Sequence, residues 1–168
     1  MGYTTNMAEH DIFDKIVTEL EKAGVWHQTF HHSTTVRTSE EAAAQRPDYS
    51  LAEGAKALLV RLKISHKGKE FAMAVLPGDK KFDSKKLKQV AGANDLRFAT
   101  EEEVHQITNG VKPGGVPPFG NMFGVQVFAD EGVFENKRII FNAGRDVSIA
   151  MFSADYLTIV QPVVGSIV

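Results

Sequence analysis

The sequence predicts an α+β fold on a mixed sheet, and three observations carry that expectation. Helical stripes and strand patterns alternate along the chain with short breaks. Two strand patterns, 55–64 and 70–76, are joined by the tight turn "SHKGKE", which makes them antiparallel neighbours. Longer connections elsewhere contain helices, which suits a sheet with parallel members as well. No internal repeat or low-complexity tract interrupts the pattern, so one domain over 1–168 is expected.

Taken in order, Ile12, Phe13, Ile16, Val17 and Leu20 form an apolar stripe at helical spacing, closed by Gly24. Trp26, Gln28 and Phe30 alternate with His27, Thr29 and His31, as in a half-buried strand. Thr38 and Glu41 have the spacing of a capping box and open a short Ala-rich helix that ends before Pro47. After the paired strands, Asp83 or Ser84 caps a helix running to Ala91. "LRFA" reads as a short strand, and Thr100 with Glu103 caps a further helix ending at Gly110. Strand-like runs follow at 124–128 and 138–141, then the turn "NAGRD", a strand at 147–152 and a short helix capped by Ser153.

Composition removes several function classes. The net charge is −2 and the apolar fraction 43%, as in an ordinary globular chain, so a broad basic surface for DNA is not expected. With no cysteine, neither a disulfide framework nor thiolate chemistry is available. No apolar run reaches membrane-spanning length, no secretory pattern opens the chain, and Asn6 stands where a myristoylation signal needs Ser or Thr. A cytoplasmic protein without membrane association is the expectation.

Two features ask for a functional explanation. "GVKPGGVPPFG", 110–120, holds four of the 14 glycines and three of the 6 prolines. Glycine allows positive φ and close backbone approach, whereas proline fixes φ and removes a donor. The combination describes a stiff loop with bare backbone at its surface, either a connector or the wall of a site. The second feature is Lys56 in "EGAKALLVRLK". At period two it shares a face with Leu58, Val60, Leu62 and Ile64, while Arg61 and Lys63 fall on the other. An inward lysine is costly unless its ammonium meets an anion or water; at the strand's first residues it can also snorkel outward.

At these residues the chain resembles a known family. "EGAKALLV", "GVKPGGVPPFG" and "IIFNAGRDVSIAM" followed by "SADYL" are similar to the three signature segments of the YbaK/EbsC aminoacyl-tRNA deacylases, relatives of the editing domain of bacterial prolyl-tRNA synthetases. "TVRTSEEAA" is similar to the family segment ahead of the lysine strand, and the likeness runs over about 10–160. The resemblance implies a strongly curved mixed sheet surrounded by helices. It implies trans-editing hydrolysis of misacylated tRNA, on tRNA(Pro) or a related tRNA carrying a small wrong amino acid, with no cofactor and no metal. The partners it implies are the acceptor end of the misacylated tRNA and, beyond that, an aminoacyl-tRNA synthetase.

Residue by residue, the family lysine falls on Lys56 and the Gly-x-x-Pro loop on Gly115 to Pro118. Lys56 would hold the substrate's terminal phosphate or ester carbonyl. Gly114 and Gly115 would offer backbone donors to the oxyanion, and Val116, Pro117, Pro118 and Phe119 would bound the amino-acid side chain. Asn142, Gly144 and Asp146 match a pocket-facing turn, or else form only a hairpin turn. Thr38 matches a family position that its capping role also explains. No Ser/His/Asp arrangement is evident, and the ribose hydroxyl of the substrate is the proton acceptor that relatives suggest.

Lys80, Lys81, Lys85, Lys86 and Lys88, five lysines in nine positions, either contact tRNA phosphates or form a solvated helix face. His27, His31 and His32 lack the Cys or acidic spacing of a metal site and read as a solvated strand. The rival reading from another class is a non-catalytic module of the same fold that holds tRNA ends or regulates a synthetase.

Overall fold

The protein is described by a computed structural model covering residues 7–32, 40, 44, 46 and 48–168. Helix α1, Met7–Ala23, buries Ile12, Ile16 and Leu20 and ends at Gly24 in the left-handed region. Strand β1, His27–His31, lies at a sheet edge. Its Gln28 and Phe30 meet Tyr49, while Trp26 just before it stacks on Phe152. The Thr38–Glu41 capping box and the Ala-rich helix lie outside the described residues.

Strands β2, Ala55–Ile64, and β3, Gly68–Pro77, pair antiparallel over their full lengths. Helix α2, Ser84–Ala91, is capped by Asp83, whose carboxylate accepts from the Lys85 and Lys86 amides. It is followed by β4, Ala93–Phe98, and by α3, Glu101–Thr108, whose capping box is the expected Thr100–Glu103 pair. Strands β5, Gln126–Asp130, β6, Arg138–Asn142, and β7, Val147–Phe152, lead into helix α4, Ser153–Val160, and the short β8, Val163–Gly165.

The strands divide into two sheets. One is antiparallel in the order β1-β7-β6; the other is mixed in the order β4-β2-β3-β5-β8, with β5 parallel to both its neighbours. Among the described residues, an isolated parallel bridge between Gly54 and Ile140 links them. The α+β class and the mixed sheet are as the sequence predicts.

The five-stranded sheet is covered on both faces, which is why β3 reads as a continuous apolar run from Ala72 to Pro77. On one face Ala55, Ala57, Leu59, Met73 and Val75 join α1, Phe119, Phe141, Ile149, Met151 and Tyr156 in the main core. On the other, Leu58, Val60, Leu62, Ala72 and Ala74 pack against Leu87 of α2 and Phe128.

Three local expectations change. The run at 124–128 becomes a strand only from Gln126, because Gly124 closes a 3-10 turn, Gly120–Phe123, at φ 71°. Ser153 does not cap α4: its hydroxyl donates to the Asn136 carbonyl at 2.5 Å, since the loop before β6 needs that donor. Strand β8 has only three residues, too few for a pattern, and exists because Phe128, Ala129 and Asp130 offer a free edge.

Candidate active site

The Gly/Pro loop packs on the Ala57–Leu59 side of the sheet, and its two halves do different work. Its second half is an anchor. Pro117 and Pro118 are buried, Phe119 is fully enclosed between Phe141 and Tyr156, and the Tyr156 hydroxyl donates to the Pro118 carbonyl at 2.6 Å. Burial pushes the Tyr156 phenol far above its ordinary value, so it remains a neutral donor. These three loop residues were expected to bound a substrate; the structure gives them to the core, because large apolar groups next to the central cluster gain most by joining it.

The first half of the loop is gripped by the β6–β7 hairpin turn. Asn142 Nδ2 donates to the Gly114 carbonyl at 2.8 Å, and the Gly144 amide donates to the Gly115 carbonyl at 2.8 Å. Gly144 holds φ 117° to present that amide. The Gly115 amide donates to the Lys112 carbonyl at 3.0 Å, so it is not the open donor expected of it.

In a trans peptide the N–H points opposite to the C=O. With the Gly115 carbonyl turned to the hairpin, the Val116 N–H is turned away from it. Neither Val116 nor Gly114 has a partner for its N–H among the described residues. Gly114 is exposed at φ 87°, and Val116 is half-buried.

Both residues line a cleft of about 220 Å³, formed with Ala57, Leu58 and Leu59 of β2, Phe98 at the end of β4 and Ala99 after it, Glu101 and Val104 of α3, and Pro113. A wider polar cleft of about 730 Å³ adjoins it and shares Glu101, Pro113 and Gly114. Its wall is completed by Glu102, His105, Val111, Lys112 and Arg145. Helix α3 is held there by Arg97 of β4, which meets the Glu103 carboxylate at 2.7 and 3.0 Å. That pairing, with the Thr100 amide, holds the Glu103 carboxyl down to about 2.

Sequence reading missed Glu9. It is buried in the first turn of α1, where an acidic residue reads merely as a dipole partner. Its Oε1 accepts from the Lys112 amide at 3.3 Å and lies 3.6 Å from Arg145 Nε, clipping loop and turn to the helix.

Lys56 is the second residue of β2 and is half-buried. Alternation places it on the face of Leu58, Val60 and Leu62, as expected, and therefore opposite Ala55 and Ala57, which join the core against which the loop packs. It does not line the small cleft. Its ammonium has no hydrogen-bond or ion-pair partner among the described residues. Asp146 is exposed, and its backbone carbonyl accepts from the His32 amide at 2.7 Å. Thr38 lies outside the described residues. Lys80, Lys81, Lys85 and Lys86 are exposed and Lys88 half-buried, around a helix that covers the face away from the loop. Lys86 Nζ donates to the Val168 carbonyl.

The model of the aminoacyl-tRNA editing domain matches residues 33–158. The chain belongs to that family. A proline–tRNA ligase from Caldicellulosiruptor saccharolyticus is 27% identical over 144 residues, 86% of this chain and 23% of the ligase. One from Halalkalibacterium halodurans is 42% identical over 64 residues, 38% of this chain and 11% of the ligase. The chain thus spans less than a quarter of the curated relatives it matches.

Among solved structures, a proposed trans-editing enzyme for prolyl-tRNA synthetase superposes with TM-score 0.76 at 23% identity, covering 93% of this chain and 96% of that one. A hypothetical protein superposes with TM-score 0.77 at 24% identity, covering 91% and 98%. These two establish the shared fold.

The loop–turn contact makes a prediction about Gly115, which has no positive φ to justify it. A Cβ there would stand 2.9 Å from the Arg145 amide nitrogen, 3.0 Å from the Gly144 carbonyl carbon and 3.0 Å from Glu9 Oε1. Two of these are backbone and yield little. Gly115→Ala should cost about 1–3 kcal/mol in denaturant melts through overpacking, and should slow the site's reaction because loop and turn are pushed apart. Unchanged stability would show that the contact is looser than described.

Proposed function

We propose that this domain hydrolyses the ester of misacylated tRNA, and that the small cleft beside Gly114 and Val116 receives the amino-acid side chain. The observation that carries this reading is the grip of the hairpin turn on the Gly114 and Gly115 carbonyls: it turns the Val116 N–H away from the hairpin, and among the described residues neither that N–H nor the one of Gly114 has a partner beside a cleft of about 220 Å³. An ester to the terminal ribose is already activated, so catalysis needs a positioned water and donors for the oxyanion. Water adds to the ester carbonyl, the tetrahedral oxyanion is met by the Gly114 or Val116 N–H, and the C–O bond to the ribose breaks as that oxygen takes a proton.

The cleft is apolar on its β2 side and small, which favours a short side chain; the family relationship to proline–tRNA ligases makes tRNA(Pro) the first tRNA to test. Glu101, shared by both clefts, is assigned the α-ammonium of the amino acid, and Lys112 and Arg145 supply positive charge in the wider cleft. Lys56, which lies outside the small cleft, is assigned a phosphate of the substrate's terminal nucleotides, because a half-buried lysine whose ammonium has no partner among the described residues suits an anion that arrives from outside. The exposed lysines around α2 are assigned to tRNA phosphates farther from the reacting end, and a synthetase is the protein partner to look for.

Hydrolysis of alanyl, seryl, threonyl and cysteinyl esters on tRNA(Pro) and on other tRNAs tests the reading. At least one should turn over above the rate of free hydrolysis. Binding of the whole panel with turnover of none would establish the non-catalytic module instead.

Lys56→Ala should keep the fold, with a melt close to wild type, and lose deacylation by about tenfold or more. Wild-type turnover in that variant would remove Lys56 from the mechanism.

Activity should also survive exhaustive chelation. His27 is bonded to the Val25 carbonyl, His31 packs edge-on to Phe13 and His32 is bonded to Ser148. Loss with EDTA and restoration by zinc would sink a metal-independent mechanism.

A further inference from the structure

Behind the hairpin turn lies a line of polar groups that the proposed chemistry does not use. His32 Nε2 is 2.7 Å from Ser148 Oγ, Ser148 Oγ is 3.2 Å from Asn142 Oδ1, and Asn142 Nδ2 is 2.8 Å from the Gly114 carbonyl. The sequence shows no serine–histidine arrangement, since 116 residues separate the two. The structure brings them together, but Ser148 is fully buried and its one proton is committed, so it is not a nucleophile.

Counting protons orders the whole line. The Gly114 carbonyl can only accept, so Asn142 presents its amide nitrogen there and its Oδ1 toward Ser148. Asn142 Oδ1 can only accept, so the Ser148 hydroxyl donates to it. Ser148 Oγ must then accept from His32, which requires the proton on Nε2 and leaves Nδ1 of the neutral ring as an acceptor. His32 is brought into reach because its amide is bonded to the Asp146 carbonyl, beside the same turn.

We propose that His32 is a positioning residue for the editing site, acting through Ser148 and Asn142 to set the direction of the Gly114–Gly115 peptide. The inference rests on the deacylase reading for its catalytic consequence, and on the bond line alone for its structural one. Removing the His32 donor frees the Ser148 hydroxyl to rotate, Asn142 Oδ1 loses its assured donor, and the amide that holds the loop is free to turn. The effect belongs in the chemical step, because the groups the loop presents to the ester move while the cleft walls of β2 and α3 remain. Burial, with Arg46 and His31 nearby, holds the imidazole below its ordinary value against the opposing pull of Asp146, which favours the neutral ring.

The test uses the whole chain with three variants. His32→Leu removes the donor, His32→Gln keeps an N–H at about the same reach, and Ser148→Ala cuts the line in the middle with little change in volume. Nitrogen-15 spectra of wild type should show His32 neutral with the proton on Nε2; the opposite tautomer overturns the proton order. His32→Leu and Ser148→Ala should each shift the amide signals of Gly114, Gly115 and Val116, and should lower single-turnover deacylation about tenfold to a hundredfold with KM nearly unchanged. The double variant should lose little more than either single one, and His32→Gln should restore most of both.

Loop amides that stay in place in Ser148→Ala overturn the proposal, and so do shifted amides with undiminished turnover. Should His32→Leu not fold, Ser148→Ala and His32→Gln decide alone. If wild type deacylates no ester of the panel, the deacylase reading fails, while the loop amides still judge the positioning line on their own.

Discussion

Everything specific about this site depends on one contact: the hairpin turn between β6 and β7 holds two successive carbonyls of the Gly/Pro loop. Carbonyls in a packed region need donors, and the prolines of this loop have removed several of its own. The turn makes up the deficit with the Gly144 amide and the Asn142 side chain. Because a peptide's two polar groups point in opposite directions, satisfying those carbonyls also fixes where the remaining N–H groups face. Glycine at 115 is required by the closeness of this contact, at which a single methyl group meets the opposing backbone.

Magnitudes separate holding the loop from aiming it. A neutral hydrogen bond contributes about 1 kcal/mol net, so the two from the turn are modest. Burying Phe119 in the aromatic group with Phe141 and Tyr156 contributes about 2–3 kcal/mol by area alone, with a further increment from edge contacts. The core therefore decides that the loop lies on this face of the sheet, and the turn decides its direction. Glu9 adds a third hold by tying α1 to both at Lys112 and Arg145.

The mixed sheet separates two surfaces that composition alone would merge. The face bearing Ala57 and Leu59 packs in the core on which the loop lies, whereas the face bearing Val60 and Leu62 packs beneath α2; Leu58, on that second face, also reaches the rim of the small cleft. The lysines on and before α2 and the small cleft beside the loop are thus separated by the thickness of one sheet. That economy suits a compact domain that corresponds to less than a quarter of the synthetases it resembles.

Much of the architecture was legible in the sequence because it is local. The α1 stripe, the β2–β3 hairpin, the Asp83 cap and the Thr100–Glu103 capping box each follow from residues a few positions apart. The Gly/Pro loop and "NAGRD" were likewise legible as special segments, since glycine, proline and asparagine declare unusual backbone directly. Their union was not, because residues 114 and 142 meet only when the core folds between them. The same holds for Glu9, an unremarked acid on an exposed-looking turn, and for His32 with Ser148, which no spacing connects. Pro117, Pro118 and Phe119 were read as walls of the site, and their burial was not legible, since burial is settled by three-dimensional packing. Which residues are unusual is a property of the chain; which of them touch is decided by long-range contacts between segments that no local pattern encodes.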